Sequence, residues 1–276
     1  NIIMIVEAIL SSYSYSINTE NKSVALRLDN FCNSTDSMKQ LTESYLHAEK
    51  GYVDNWAHYI SSNNMTIDEA IKFVQNLNTQ DNRYAHFVDM DDFSAISAYT
   101  DKNGNNSVDC YRLFYESDTD SSRSMIKKMH KMFNDTSNKL FVLGKYRVEE
   151  LKQNVVSIGT RVYIKTANGQ KKPYLLLRLI PVDYLRNSWV FPTEYKDAEI
   201  SLITASGKYI IQSSSMKSST FYDYICTYNF QNKPDKINDV ISEIKSSGSG
   251  LLKYKDFHDQ DCYWYYSNFG ADLDLY

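Results

Sequence analysis

The sequence predicts an α+β protein in which a long N-terminal helix precedes two successive modules built on antiparallel sheets. Three observations predict this fold. Apolar residues recur at helical intervals over residues 1–60, where there is no proline and the only glycine is Gly51. From residue 84 onward, short runs of aromatic and β-branched residues alternate with turn signals, as in antiparallel strands. The strand–turn–strand pattern begins again near residue 199, which indicates a second, smaller module.

The long helix is predicted to span residues 1–62. Apolar side chains follow one another there at intervals of three or four positions, for example at Val24, Leu28 and Phe31. Such a helix would be about 80 Å long at about 1.5 Å per residue, which exceeds the diameter of one domain. We therefore expect it to contact both modules, and an interruption near residues 18–22 remains open.

The first module is predicted to span residues 63–187. The sequence Thr66-Ile-Asp-Glu69 is typical of a helix N-terminus and opens a short amphipathic helix. Asn168-Gly169 is a typical two-residue hairpin turn. A polar loop and a helix separate the second strand from the third. We predict five antiparallel strands, at residues 84–88, 93–99, 140–146, 155–165 and 174–180, and a helix at residues 123–133.

The second module is predicted to span residues 188–276, with a boundary near residues 186–197. It repeats the pattern of the first module in a shorter form. Only four strand-like runs are found, so we expect the fifth strand of this module to be cut by the chain end. The four runs are residues 199–204, 209–212, 251–254 and 263–268, with a helix at residues 236–244.

Composition and motifs exclude several classes of function. The formal net charge is −4 and no block of lysine and arginine occurs, so we expect no nucleic-acid partner. Zinc-protease, nucleotide-binding and serine-hydrolase motifs are absent from the sequence. The five histidines are dispersed, and a structural or surface role is favoured for each. We therefore predict that the chain is not an enzyme, that it has no catalytic residue and that it needs no cofactor.

Metal sites are not expected either. The four cysteines lie far apart and form no C-x-x-C pair; Cys226 and Cys262 could pair, but four free thiols are favoured. Residues 101–109 have oxygen-bearing side chains at alternate positions, as a calcium-binding loop does. However, glycine is at the fourth position and Arg112 stands where the bidentate carboxylate should be, which favours a polar turn. The acidic turn at residues 89–92 is interpreted first as a solvated hairpin turn and second as a cation site.

No run of about 20 apolar residues predicts a membrane span, and no signal peptide is visible. Both ends nevertheless contain apolar residues without caps or tails. We interpret the chain as a segment trimmed from a longer protein.

The whole arrangement resembles the double Cache sensor family. The resemblance rests on the long helix, on a five-stranded module that closes with Leu179-Ile-Pro-Val-Asp-Tyr-Leu185, and on a smaller module that opens with Ile203-Thr-Ala-Ser-Gly-Lys-Tyr209. It implies two PAS-like modules, a membrane-distal one at residues 63–187 that binds a small molecule and a membrane-proximal one at residues 188–276.

The resemblance also implies a function for the parent protein. The chain would be the extracytoplasmic part of a membrane-anchored bacterial receptor, with a cytoplasmic histidine kinase, diguanylate cyclase or chemotaxis region. Receptors of this kind commonly form homodimers along the long helix. Amino-acid receptors of the family carry an arginine closely followed by tryptophan and tyrosine. The run Tyr111-Arg-Leu-Phe-Tyr115 lacks that tryptophan, which argues against an amino-acid ligand.

The ligand pocket is predicted between the first module's sheet and the segment from Tyr111 to Phe133. Tyrosines supply ring faces with hydroxyl groups, and an arginine offers a fork for a carboxylate or phosphate. Asp183 lies where the family places an aspartate near the ligand, which would favour an amine-bearing or polyhydroxy ligand. A structural role remains open for each tyrosine, and so does a helix-capping role for Asp183. The predicted residues are Tyr111, Tyr115, Tyr146, Arg161, Tyr163 and Asp183.

An alternative class of function remains open at this stage. The chain has 23 Tyr, 12 Phe and 3 Trp, and an exposed aromatic face could bind sugars or proteins. A secreted or surface-anchored adhesin would use its aromatic residues in this way, without a signalling role.

Overall fold

The computed structural model describes residues 2–8, 17–77, 84–100, 106–112, 120–137, 139–148, 152–190, 192–195, 198–230, 234–269 and 273–274. The chain divides into two compact units. We call Tyr45–Tyr184 the middle unit, and Asn1–Ser44 together with Leu185–Tyr276 the terminal unit.

The long helix α1 spans Ile17–Ser62, so its first part belongs to the terminal unit and its last part to the middle unit. The helix predicted for residues 1–62 is therefore right from residue 17 onward. It is wrong for Ile2–Ala8, which form strand β1. Isoleucine and valine dominate the start of this segment, and β-branched residues favour strands. Although α1 is long, no helix in the described part of the chain is apolar enough over a sufficient length to cross a membrane.

The end of α1 and the start of α2 (Ile67–Leu77) follow the sequence closely. Asn64 has a φ of 50°, and this left-handed residue lies just after the end of α1. The predicted capping sequence is confirmed, because the Thr66 N–H donates to Glu69 Oε2 at 2.8 Å and the Glu69 N–H donates to Thr66 Oγ1 at 3.4 Å.

The middle unit contains an antiparallel sheet whose strands follow the spatial order β5-β6-β7-β2-β3-β4. All five predicted strands are present. The polar loop predicted after the second strand is wrong in part, because Asn106–Arg112 form β4, which pairs with β3. Val108 and Cys110 alternate there with polar residues, a pattern that suits an edge strand. The elements are β2 (Tyr84–Val88), β3 (Ser94–Thr100), β4, helix α3 (Asp120–Asn134), β5 (Leu140–Val148), β6 (Gln153–Lys165) and β7 (Lys171–Pro181).

Helices cover both faces of this sheet. On one face, Val53 and Ile60 of α1 and Val74 of α2 pack against Phe87 and Leu176. The other face, which we call the α3 face, is covered by Met129 and Met132 of α3. These methionines pack with a set of sheet residues that includes Val88, Phe141, Leu143, Leu175 and Leu177.

A buried ion pair joins α1 to the sheet of the middle unit. Arg178 Nε on β7 donates to Glu49 Oε2 at 2.8 Å, and the side chains are only 5% and 6% exposed. Arg178 Nη1 also donates to the Leu179 carbonyl at 2.9 Å. Charges removed from water need such partners, because desolvation costs several kcal/mol per ion. The pair therefore fixes the position of α1 on β7.

The terminal unit contains a second antiparallel sheet, in the order β10-β11-β1-β8-β9. Its fifth strand is β1, which lies between β8 and β11; the expectation that this strand is cut by the chain end is therefore wrong. Gly207, with a φ of 81°, forms the turn between β8 and β9. The elements are helix α4 (Val182–Asn187), β8 (Glu199–Thr204), β9 (Tyr209–Ile211), helices α5 (Phe221–Asn229) and α6 (Ile237–Ser246), β10 (Ser249–Lys255), β11 (Asp261–Asn268) and a short strand β12 (Leu273–Asp274).

Aromatic side chains fill the core of the terminal unit. Phe221 and Tyr224 of α5 each lie 5.7 Å from Trp264 of β11 between ring centroids. The first part of α1 is held here by Asp36, whose carboxylate oxygens accept the Tyr265 hydroxyl and the Ser267 hydroxyl, both at 2.8 Å.

The cysteines are free thiols, as the sequence favoured. Cys262 is buried, Cys110 is exposed, and Cys32 and Cys226 lie between these extremes. Burial, together with the nearby carboxylates of Asp36 and Asp29, raises the pKa of Cys32 to about 11, so this thiol is unreactive at neutral pH.

We predict that Glu49→Ala lowers the free energy of unfolding by about 3 kcal/mol, because Arg178 keeps a buried charge without its partner. The double variant Glu49→Leu/Arg178→Met should recover most of that loss. Urea denaturation followed by circular dichroism measures the free energy of unfolding of both variants.

The matched control is Asp91→Ala, which removes a carboxylate that is 80% exposed and lies 2.9 Å from Lys172 Nζ in the same unit. It should cost less than about 1 kcal/mol. Equal losses for Glu49→Ala and Asp91→Ala would contradict the structural role of the buried pair.

Candidate functional site

The α3 face of the middle unit's sheet carries polar side chains among apolar ones. Residues directly opposite each other on neighbouring strands lie on the same face. Gly159 on β6 is opposite Leu177 on β7, and Leu177 is opposite His86 on β2. Because Leu177 packs in the cluster under α3, His86 lies on the α3 face, and so does its partner Ser97 on β3.

Three of these polar side chains are fully or almost fully buried. His86 and Ser157 have no exposed surface, and Ser97 is 2% exposed. Ser157 lies opposite Leu143, which belongs to the same cluster. The sequence missed all three residues, since a histidine or serine in an alternating strand can point to either face.

Burial determines the protonation state of His86. It lowers the pKa of the imidazole to about 3, so His86 is neutral at physiological pH. A neutral imidazole has one donor and one acceptor nitrogen. The α3 face therefore contains a neutral, fully buried polar side chain at His86.

The predicted residue Tyr146 is part of this polar set. Its side chain is half-buried against the cluster under α3, and its hydroxyl lies 2.6 Å from Ser157 Oγ. Burial raises the pKa of Tyr146, so the phenol stays protonated. The two hydroxyls form one hydrogen-bonding pair on the α3 face.

The predicted residues Arg161 and Tyr163 contact each other on β6. The Arg161 guanidinium lies 5.6 Å from the ring centroid of Tyr163 and 5.8 Å from that of Phe133 on α3. Arg161 is opposite Leu175, which places it on the α3 face. Tyr163 is 37% exposed. A cation held between two rings lies at the margin of the polar set, where an anionic group can reach it.

The other predicted residues are not brought into this set by the described structure. Tyr111 lies on β4 opposite Ala95, and its side chain is outside the described residues. Tyr115 lies entirely outside them. Asp183 is exposed. The helix predicted to begin at Tyr184 begins at Val182 instead, so Asp183 lies in the first turn of α4 and not at its N-cap.

The acidic turn after β2 is a structural feature. Lys172 Nζ of β7 lies 2.5 Å from Asp89 Oδ2 and 2.9 Å from Asp91 Oδ2, so one lysine pairs with two carboxylates of the turn. Within the ranges that the structure describes, no group of three or more histidine, cysteine, aspartate or glutamate side chains could hold a metal ion.

Solved structures with a similar fold include a ligand-binding domain of a chemoreceptor and extracellular domains of putative histidine kinases. The ligand-binding domain of the Campylobacter jejuni chemoreceptor Tlp3, in complex with L-valine, is 14% identical with a TM-score of 0.53, over 94% of this chain and 98% of that one. The extracellular domain of the putative histidine kinase soHK1S-Z6 is 10% identical with a TM-score of 0.58, over 90% and 95% of the two chains. That of vpHK1S-Z8 is 13% identical with a TM-score of 0.54, over 89% and 92%.

These similarities define the class of fold. No protein-family model and no curated protein sequence matches the chain. The chain has the fold that these chemoreceptor and histidine-kinase domains share. At the level of the fold, this confirms the double Cache resemblance seen in the sequence.

We predict that His86 makes the chain less stable in mild acid. In the unfolded chain the imidazole has a pKa near 6.5 and binds a proton below that pH. In the folded protein it binds the proton only near pH 3. Stability from this group is therefore present above pH 6.5 and falls by about 1.4 kcal/mol per pH unit below it.

Comparison of His86→Gln with the unchanged protein at pH 7.5 and pH 5 tests this. The variant should lose less stability between the two pH values, by roughly 2 kcal/mol. His130→Gln, which changes an exposed histidine on α3, is the control and should behave as the unchanged protein does. Identical losses in the unchanged protein and in His86→Gln would contradict the buried, neutral state of His86.

Proposed function

We propose that the chain is the extracytoplasmic, small-molecule-sensing domain of a bacterial transmembrane receptor, and not an enzyme. The observation that carries the proposal is the fold, which the chain shares over about nine-tenths of its length with the ligand-binding or extracellular domains of a chemoreceptor and two histidine kinases. In this proposal, residues 63–187 are the membrane-distal module and residues 188–276 the membrane-proximal module.

The ligand site in this proposal is the α3 face of the middle unit. Ligand pockets combine an apolar wall with a few fixed polar groups. Leucine and methionine side chains supply the wall. The buried His86 and Ser157 and the half-buried Tyr146 supply hydrogen-bonding groups. Arg161 supplies a positive charge at the margin. This set favours a small molecule with an apolar part and a carboxylate group.

Amino acids with apolar side chains fit that description and are the first compounds to test. The Tlp3 domain was solved with L-valine and, separately, with isoleucine. Asp183, the residue proposed from the sequence to hold an amine, is exposed on α4. We therefore expect carboxylate recognition by Arg161 to contribute more to affinity than amine recognition by Asp183.

The proposed output is a cytoplasmic histidine kinase, with a diguanylate cyclase or chemotaxis region as alternatives. Homodimerisation through α1 is part of the same proposal. Leu26 and Leu41, in the part of α1 that belongs to the terminal unit, are 62% and 67% exposed. Sedimentation of the intact receptor in which Leu26 and Leu41 are both replaced by aspartate tests the homodimerisation.

The adhesin alternative is less well supported. It requires the aromatic residues to form an exposed face. In the terminal unit, six of them instead belong to the buried core. They are Tyr209, Phe221, Tyr222, Tyr224, Trp264 and Tyr266.

We predict that a thermal-shift screen with carboxylate-bearing metabolites, beginning with L-valine and L-isoleucine, identifies a compound that raises the melting temperature. A concentration one hundred times the Kd stabilises the folded state by about 2.7 kcal/mol. Replacing Arg161 with alanine should weaken binding by roughly tenfold or more, since it removes a charged hydrogen-bonding partner.

The matched control is Arg147→Ala, which removes an exposed arginine of β5 in the same unit and should leave affinity unchanged. If Arg161→Ala and Tyr146→Phe both bind with unchanged affinity, the ligand does not lie on the α3 face.

A further inference from the structure

The terminal unit contains an open cavity of about 410 Å³, next to the N-terminal end of β8. Its lining combines one carboxylate, one guanidinium and one indole, from Glu199, Arg186 and Trp189. Ile200 and Gln212 also line it. The volume lies within the range of small-molecule sites, roughly 300–1,000 Å³. The cavity is separate from the α3 face, because all these residues belong to the terminal unit.

The carboxylate of Glu199 is fixed by a run of serines. Glu199 Oε1 accepts the Ser214 hydroxyl at 2.6 Å, and Oε2 accepts the Ser215 hydroxyl at 2.5 Å and the Ser215 N–H at 3.0 Å. Burial by itself would raise the pKa of Glu199, but hydrogen bonds from Ser214, Ser215 and Ser213 outweigh it and lower the pKa. Glu199 is therefore ionised at neutral pH and held in one orientation.

Gln212 supplies a second acceptor in the cavity lining. Its side-chain amide group donates to the Met216 carbonyl and, at 3.1 Å, to the Ser218 carbonyl. An amide nitrogen has two donors, and both are used by these carbonyls. The amide oxygen is then the atom through which Gln212 can bind a ligand, and it can only accept. Two acceptors in one cavity, one of them charged, suit an ammonium group.

The other two groups complete the recognition surface. The Trp189 indole N–H donates to the Thr42 hydroxyl of α1 at 2.9 Å, which anchors the ring in the lining. Arg186 is exposed, and its Nη2 donates to the Gln212 carbonyl at 3.4 Å. A simple cation in the cavity would be repelled by Arg186, and a simple anion by Glu199. A molecule that carries both charges meets a partner for each.

The covered interior of the terminal unit is packed with protein side chains. Phe221 and Trp264 have no exposed surface, and Tyr224 is 1% exposed. In the described part of this unit, these rings of α5 and β11 pack against one another in the core, whereas the middle unit has polar groups on its α3 face. A small molecule that binds the terminal unit is therefore better accommodated in the open cavity than in the core.

We propose that this cavity is a second small-molecule site, selective for compact zwitterions. The ammonium group binds the Glu199 carboxylate and the Gln212 amide oxygen, the acidic group binds Arg186, and the carbon chain lies against Trp189 and Ile200.

Nuclear magnetic resonance of the tryptophan indole groups in the whole chain tests the proposal. The sequence has 3 Trp, so each indole N–H gives one resolvable signal, and Trp189→Phe assigns the one in the cavity. Glycine, β-alanine and γ-aminobutyrate are the zwitterionic probes, and ethylamine and acetate carry only one charge each. At least one zwitterion should shift the Trp189 signal saturably and bind at least tenfold more tightly than either singly charged probe.

Two variants localise the effect. Glu199→Gln and Arg186→Gln should each weaken zwitterion binding by roughly tenfold or more, since each removes a charged hydrogen-bonding partner. The control Glu243→Gln, an exposed acid on α6 of the same unit, should bind normally. Glu199→Gln could disturb the loop that contains Ser214 and Ser215. Arg186→Gln then still tests the site, because the Arg186 side chain is exposed.

Three results would overturn the proposal: no saturable shift with any zwitterion, equal binding of ethylamine or acetate, or unchanged binding in both variants. The site is independent of the α3 face, and Arg161→Ala should leave the Trp189 response intact. A negative result for the cavity at Glu199 is thereby distinguished from a negative result for the α3 face.

Discussion

The ion pair between Glu49 and Arg178 is the constraint on which the middle unit depends. Both charges are removed from water, so α1 cannot slide or rotate on β7 without leaving them unpaired in the interior. Asp36 plays a comparable part in the terminal unit, where it binds two hydroxyls of β11. Each unit thus holds its own part of α1 through a carboxylate.

Local sequence pattern predicted most of the regular elements. It gave α1 from Ile17 onward, the capping box at Thr66 and the five long strands of the middle unit. It failed for β1, where an uninterrupted apolar run fits a buried central strand and a buried helix equally well. It also failed for β4, whose polar side chains suited a loop. Glu49 and Arg178 are 129 residues apart, and no local pattern links such residues.

The candidate site could be predicted only in part, for a related reason. Tyr146 and Arg161 were proposed from their chemistry, as residues that offer a hydroxyl and a charge, and both lie on the α3 face. His86, Ser97 and Ser157 were missed, because their importance comes from burial under α3 and from their alignment across neighbouring strands. A strand pattern shows that alternate residues share a face, but it does not show which face a helix will cover. Similarly, the cavity at Glu199 is lined by residues from α4, β8 and the segment after β9, and only the tertiary structure brings these residues together.

The central claim is that the α3 face of the middle unit binds the sensed molecule. A crystal structure of the chain with the tightest-binding compound from the metabolite screen tests it most directly. The account predicts that the compound lies between β6 and α3, with its acidic group at Arg161 and its polar atoms within hydrogen-bonding distance of His86 or of the Tyr146–Ser157 pair. A compound bound elsewhere in the middle unit, or bound only in the terminal unit while the α3 face stays closed, would contradict it.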